Sequence, residues 1–237
     1  MKVLDDLISS LDTNYTVAEV YSCVLWTTVK TRNWGLASSF RHEHPQHGKV
    51  RGVGHLRGKG ALELAEYAQS DNLMEASIGM ATINSLIEVD ESKCTGDNAG
   101  DILARKGRGK NIAVVGHFPF TQQLKEAAKN LWVVEQRPSD EDLPASASAD
   151  VLPQADVIGL TGTSLINHTF ENLIELCKGK FVVLVGPTSP LSPVLFDYGI
   201  DVISGIKVVQ PQKAVACITE GAMFRQIEGL KYLSMSK

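Results

Sequence analysis

Four apolar runs in the second half of the chain are each followed by residues that could do chemistry. Asn111–Val115 leads into Gly116-His117-Phe118-Pro119, and Leu131–Glu135 ends on an acid. Asp156–Leu160 leads into Thr161-Gly162-Thr163-Ser164 and then Asn167-His168-Thr169. Phe181–Val185 leads into Gly186-Pro187-Thr188-Ser189-Pro190. His117, directly after a strand, is a candidate for acid–base work or for ligating a metal. Glu135 stands 19 positions after Gly116 (135 − 116), near the ~20-residue spacing of an acid that holds a ribose. Gly116 is nevertheless no dinucleotide fingerprint. That motif needs three glycines, and here Phe118 and Pro119 stand where a phosphate would approach. Thr163 or Ser164 can cap a helix beginning near Leu165, which would turn free N–H groups and a positive dipole end toward an anion or an oxygen-rich ligand. Gly186–Pro193, with prolines at 187, 190 and 193, is a rigid loop able to orient a ligand.

A second group is His42, His44 and His47 within Arg41–Gly48, with His55 beyond. Imidazole suits divalent transition metals. Pro45 interrupts regular structure between His44 and His47, and no H-E-x-x-H occurs, so the run reads as a polar surface loop and His117 as the better-placed ligand. Cys23, Cys94, Cys177 and Cys217 are far apart and form no C-x-x-C. That excludes a zinc knuckle or a thioredoxin-type pair and predicts reduced, mostly buried thiols.

The elements that must position these residues change character near residue 110. Before it, Val3, Leu4, Leu7, Ile8 and Leu11 share a helical face. Val17–Val29 reads as a strand, Trp34–Phe40 as its return, and 41–60 as a long loop. Ala61–Ala68 reads as a short helix. Leu73, Ala76, Met80, Ile83 and Ile87 mark an amphipathic helix behind an Asp71 or Asn72 cap. Ser77, Ala81 and Asn84 form a ridge of small and polar residues on that helix, predicted to face the second domain with Asn84 reaching the cleft. After residue 110, strands alternate with helices at Phe120–Asn130 and Leu165–Cys177, and residues 136–150 form a long connection of the kind that is often functional. Continuous apolar strands between helices imply a parallel sheet covered on both faces. The expected fold is therefore α/β, with an α+β domain over residues 1–108 and a Rossmann-like, mainly parallel domain of five or six strands over 109–237.

Composition narrows the function. The 237 residues carry 23 Lys and Arg against 27 Asp and Glu, a net charge of −4. No basic excess exists to neutralise a phosphate backbone, so no nucleic-acid partner is expected. No apolar run approaches the ~18 residues of a membrane helix. The first residues read as neither a signal nor a transit peptide. A soluble, cytoplasmic protein is the expectation, with a homodimer as the commonest assembly.

Several segments together resemble a known family. These are Ser77-Ile78-Gly79-Met80-Ala81-Thr82-Ile83-Asn84, Val114-Val115-Gly116-His117-Phe118-Pro119, Leu143-Pro144-Ala145-Ser146 and Leu152-Pro153-Gln154-Ala155-Asp156. Thr161-Gly162-Thr163, Gly186–Phe196, Ser204-Gly205 and the hairpin residues Trp34-Gly35-Leu36-Ala37 complete the set. In this order they resemble the family known as the "putative heavy-metal chelation" domain, over nearly the whole chain. The resemblance implies an enolase N-terminal-like domain followed by a Rossmann-like domain, with the active site in the cleft between them. It also implies a role in heavy-metal chelation through a metal-binding small molecule. It marks Asn84, His117, Phe118, Thr161, Gly162, Thr163, Gly186, Pro187, Ser189 and Pro190 as cleft residues, to which the strand-end reading adds Gly116 and Glu135. At His168 the family pattern leads one to expect a small residue such as Gly. The enolase catalytic barrel is absent, so no enolase activity follows.

The candidate ligands are thus a metal-chelating small molecule, a divalent heavy metal bound directly through His117, or a nucleotide-like molecule. The last would make the chain a nucleotide- or S-adenosylmethionine-type cofactor-dependent enzyme. A non-catalytic regulatory module is the fourth reading.

Overall fold

The computed structural model describes residues 1–12, 14–40 and 49–237. His42, His44 and His47 lie outside the described residues, and His55 is exposed.

The chain opens with α1 (Lys2–Ser9), whose Val3, Leu4, Leu7 and Ile8 are buried as their spacing predicts. A three-stranded antiparallel sheet follows: β1 (Glu19–Ser22), β2 (Trp26–Lys30) and β3 (Trp34–Ser38). The single strand expected over Val17–Val29 is two strands. The turn between them is built from Cys23, Val24 and Leu25, apolar residues that carry no turn signature; Val24 is 73% exposed. After the short α2 (Ala61–Ala65) comes α3 (Leu73–Leu86), capped by the Asn72 side chain, which accepts from the Met74 N–H. This helix is not amphipathic. Glu75, Ser77, Thr82 and Ser85 are buried along with its apolar residues, because α3 is packed on several sides by β2, β3, α2 and the turn over Glu66–Gln69.

The larger sheet has eight strands: β4 (Cys94–Thr95), β5 (Asn111–Val115), β6 (Asn130–Glu135), β7 (Leu143–Pro144), β8 (Val157–Thr161), β9 (Phe181–Val185), β10 (Val202–Val208) and β11 (Leu230–Ser236). Their order is β4-β11-β10-β9-β8-β5-β6-β7. The six from β7 to β10 are parallel, while β10–β11 and β11–β4 pair antiparallel. Helices α4 (Ala99–Lys106), α5 (Thr121–Ala127), α6 (Ser148–Val151), α7 (Phe170–Leu176) and α8 (Pro211–Thr219) connect them. The α/β architecture of a small antiparallel sheet beside a large, mostly parallel one is thus observed. Strands β4, β7 and β11 go beyond those expected, and β4 pairs into the larger sheet, with α4 packed on it, although both precede residue 109.

The chain runs outward from β5 through β6 to β7, then returns to place β8 on the other side of β5. The loops after β5 and β8 therefore leave in opposite directions and open a crevice at the carboxyl ends of the two strands. The two parts of the molecule share a core. Val3, Leu4 and Leu7 of α1 are fully buried in one apolar cluster with Leu160, Phe170 and Leu195, each worth about 2 kcal/mol. The Val3 N–H donates to Glu171 Oε1 (2.9 Å) and the Tyr198 hydroxyl to Asp6 Oδ2 (2.5 Å).

Candidate functional site

A cleft of about 1490 Å³ lies at this crevice. Val115, Gly116, His117 and Phe118 line it at the end of β5, Glu135, Gln136 and Arg137 at the end of β6, and Thr161 and Thr163 at the end of β8. Ser39, Phe40, Leu73 and Met74 close it from the first half of the chain. The rim is held from α3: Ser77 Oγ accepts from the Phe40 N–H (2.9 Å).

Six of the expected residues thus share one wall: Gly116, His117, Phe118, Glu135, Thr161 and Thr163. Gly116 adopts φ +111°, and a Cβ there would sit 3.2 Å from both Phe118 and Thr161. Only glycine lets the chain leave β5 this way. Phe118 stacks on Phe120 with centroids 5.0 Å apart. Thr161, not Thr163 or Ser164, caps the turn that follows β8, accepting from the Thr163 N–H. The helix expected from Leu165 starts only at Phe170, because His168 at φ +60° interrupts it.

Glu135 is already engaged. Its Oε1 accepts from the His117 N–H (2.6 Å) and its Oε2 from the Gln136 N–H (3.0 Å). The backbone amide that a phosphate would need after β5 is filled by a carboxylate, and Phe118 covers Gly116. The geometry therefore gives the nucleotide reading no support.

The other expected residues lie elsewhere. Asn84, Gly162, Gly186, Pro187, Ser189 and Pro190 do not line the cleft; Asn84, Gly162 and Ser189 belong to a packed joint where β3 and α3 meet the loop after β9. The Asn84 amide donates to Leu36 O (2.8 Å) and Thr188 O (3.1 Å). Its Oδ1 and the Ser189 Oγ are buried with no hydrogen-bond partner among the described residues. Thr188 Oγ1 accepts from the Ser38 N–H (3.0 Å), and a Cβ on Gly162 would fall 2.5 Å from Ser189 Oγ. The ridge on α3 faces β3 rather than the second half: a Cβ on Gly35 would fall 2.0 Å from Ala81 O. Only Asn84, at its end, reaches across to the loop after β9.

Asp142 escaped sequence reasoning. It lies 25 residues from His117 in the long 136–150 connection, and both its oxygens are 3.2 Å from His117 Nδ1. It also accepts from the Ser139 hydroxyl (2.7 Å) and N–H (3.1 Å). These bonds, with His117 adding to them, hold its carboxyl below the ordinary range. The available signal was the length of that connection, which also supplies Ala145, Ser146, Ser148 and Ala149 to the cleft wall.

His168 ties the two halves together, its Nε2 2.8 Å from Ala68 O. A left-handed conformation costs a non-glycine residue about 1–2 kcal/mol, which is the physical reason a glycine suits this position. His168→Gly relieves that strain and loses a hydrogen bond worth about 1 kcal/mol, so its stability should match wild type within about 1 kcal/mol. His168→Ala loses the bond and keeps the strain, and urea unfolding should find it the less stable of the two.

Family models match both parts of the chain, DUF4213 over residues 4–87 and DUF364 over residues 98–234, each described as "Putative heavy-metal chelation". The second match alone covers more than half of the molecule. The chain belongs to the DUF364 family. Among proteins similar to it, an uncharacterized protein of Methanocaldococcus jannaschii is 29% identical over 210 residues, 85% of this chain and 80% of that protein. A DUF364 family protein of unknown function from Desulfitobacterium hafniense superposes with a TM-score of 0.89 at 26% identity, covering 100% of this chain and 98% of that one. Another from Pyrococcus horikoshii has a TM-score of 0.84 at 19% identity, covering 99% and 100%; at that identity the likeness concerns the fold. No described helix is long and apolar enough to cross a membrane.

A resident metal, which the family description brings to mind, does not fit the described residues. Among them, no three His, Cys, Asp or Glu side chains come together to hold an ion. Cys23, Cys94, Cys177 and Cys217 are all free. Burial pushes the Cys177 thiol up to about 12, so it stays protonated and a poor ligand. At His117, the neighbouring Asp142 carboxylate is spent on Nδ1 and Ser139.

Proposed function

We propose that the chain acts in heavy-metal chelation by binding or processing a metal-chelating small molecule in the cleft at the ends of β5, β6 and β8. The observation that carries this reading is the composition of the cleft wall. Hydroxyls (Thr161, Thr163, Ser146), amides (Asn167, Asn172) and one imidazole (His117) surround apolar surface from Phe118, Val134 and Leu173. Such a surface, in which Glu135 and Arg137 are the charged residues, offers hydrogen bonds and ring contacts to an organic ligand. With no cage of three ligating side chains among the described residues, it suits the organic part of a chelate better than a bare ion.

The test is a thermal-shift series with small chelators of oxygen or mixed nitrogen and oxygen donors (catechol, a hydroxamate, free histidine), each with and without Zn²⁺. A ligand at 100 times its Kd stabilises by about 2.7 kcal/mol, an easily read shift. Ser146→Trp, an exposed position on the cleft wall, should leave the unliganded protein unchanged and remove the shift. Equal shifts in the two proteins would place binding elsewhere.

A further inference from the structure

We infer that His117 is the proton acceptor of this cleft, working through Nε2, and that Asp142 and Ser139 are the positioning residues that make it so. The inference rests on the cleft reading above and adds the chemistry of the ligand: a protic oxygen donor, phenol- or hydroxamate-like, which must lose a proton before it can hold a metal.

Five observations carry it. The His117 backbone is fixed by its N–H bond to Glu135 and by the strand before it. Its side chain is 54% exposed, while that of Asp142 is 5% exposed. A carboxylate has no proton to give, so its 3.2 Å approach to Nδ1 makes that nitrogen the donor, and in the neutral ring the lone pair is then on Nε2. No bond to Nε2 exists among the described residues, and the ring belongs to the cleft wall. Asp142 cannot swing away freely, because Ser139 holds one of its oxygens through both its N–H and its hydroxyl, and the Asp142 N–H donates back to Ser139 O (3.0 Å). Among the described residues, the charged groups around the ring are Asp142 beside it, Glu135 at its backbone and Arg137 on the same wall.

In the step this allows, the ligand's O–H bond breaks and its proton moves to Nε2. The electron pair stays on the ligand oxygen as the metal donor, and Asp142 stabilises the imidazolium that forms. His117 would touch the ligand; Asp142 and Ser139 would act only through His117.

The experiment has two arms on the full chain. Long-range ¹H–¹⁵N correlation at pH 9, where an ordinary imidazole is neutral, should show His117 as the Nδ1–H tautomer in wild type and a tautomer mixture in Asp142→Asn, with Asp142→Glu restoring the wild-type pattern. An Nε2–H tautomer in wild type overturns the inference and leaves the cleft reading standing. In the second arm the coloured probe 4-nitrocatechol is added at a pH where the free probe is mostly protonated. Wild type should raise its deprotonated fraction about tenfold, the effect of one pKa unit, and His117→Gln and Asp142→Asn should bind it without that rise. Identical spectra with all three proteins overturn the inference. Failure of the probe to bind any of them counts against the cleft reading itself and takes the proton step with it.

Discussion

Gly79→Ala should cost about 3 kcal/mol or more of stability, read as a lower urea midpoint with an unchanged slope. The Cβ it introduces would lie 1.9 Å from the Ala68 N and 2.6 Å from both the Ala68 Cα and the Tyr67 C. These are backbone atoms of the neighbouring turn, not the flexible end of a side chain, so relief requires α3 to move bodily away. Overpacking usually costs about 1–3 kcal/mol when side chains can adjust; here they cannot. The matching control is Gly96→Ala, where nothing lies within 4 Å of the new Cβ, and where the change should stay within about 0.5 kcal/mol. A small loss at Gly79 would mean that α3 is not seated as described. That would undo the placement of Leu73, Met74 and the Ser77–Phe40 bond at the cleft rim.

The second large effect is at Glu75, which is 2% exposed inside α3. Its carboxylate accepts from the Arg51 N–H (2.6 Å), the Arg51 Nε–H and the Ser70 hydroxyl (2.7 Å). Arg51 in turn lies over the Tyr67 ring, 4.5 Å from its centroid, and the Tyr67 hydroxyl donates to Arg51 O. Glu75→Ala takes the acceptor from the Arg51 N–H and the Ser70 hydroxyl, while the largely exposed Arg51 side chain turns to water, and should cost about 2 kcal/mol. The acid limb follows from the same contacts. Burial pushes the Glu75 carboxyl up, but the bonds from the Arg51 side chain, Ser70 and the Arg51 N–H outweigh it and leave it below the usual value. The group binds a proton more readily unfolded than folded, so its contribution is full above the unfolded value of about 4.3 and is lost as the pH falls through the folded one. Between pH 5 and pH 3, wild type should lose more stability than Glu75→Gln. Parallel pH curves would show that the carboxylate is not held as described.

The parallel part of the larger sheet was legible because its strands are buried on both faces. Runs such as Ile112–Val114 and Val182–Val185 are continuously apolar and too short for a buried helix. Strand β11 was not, since Lys231, Ser234 and Ser236 break any apolar run. Its partner β10 supplies what the sequence withheld, with Ser204 and Ser234 sharing a buried hydroxyl bond of 2.7 Å. The helix over 165–177 was misplaced for a related reason. Its interruption depends on His168, a residue whose left-handed backbone leaves no compositional mark. At the site, residues directly after parallel strands could be foreseen, because the ends of such strands are where clefts form. The loop after β9 obeys the same rule but turns away, since Thr188 and Ser189 are drawn into the joint with β3 and α3. Asp142 meets His117 only through the path of a long connection, and no local pattern encodes that meeting.

Chemical-shift mapping on ¹⁵N-labelled protein tests the central claim most directly. The probes are catechol, a hydroxamate and free histidine, each added without metal and then with Zn²⁺, and Zn²⁺ alone. The account predicts shifts at Gly116, Thr161, Thr163 and Asn167 with at least one metal-free chelator, retained when its metal is added, and none at these residues from Zn²⁺ alone. Shifts produced equally by the bare ion, or confined to residues outside the cleft, would contradict it.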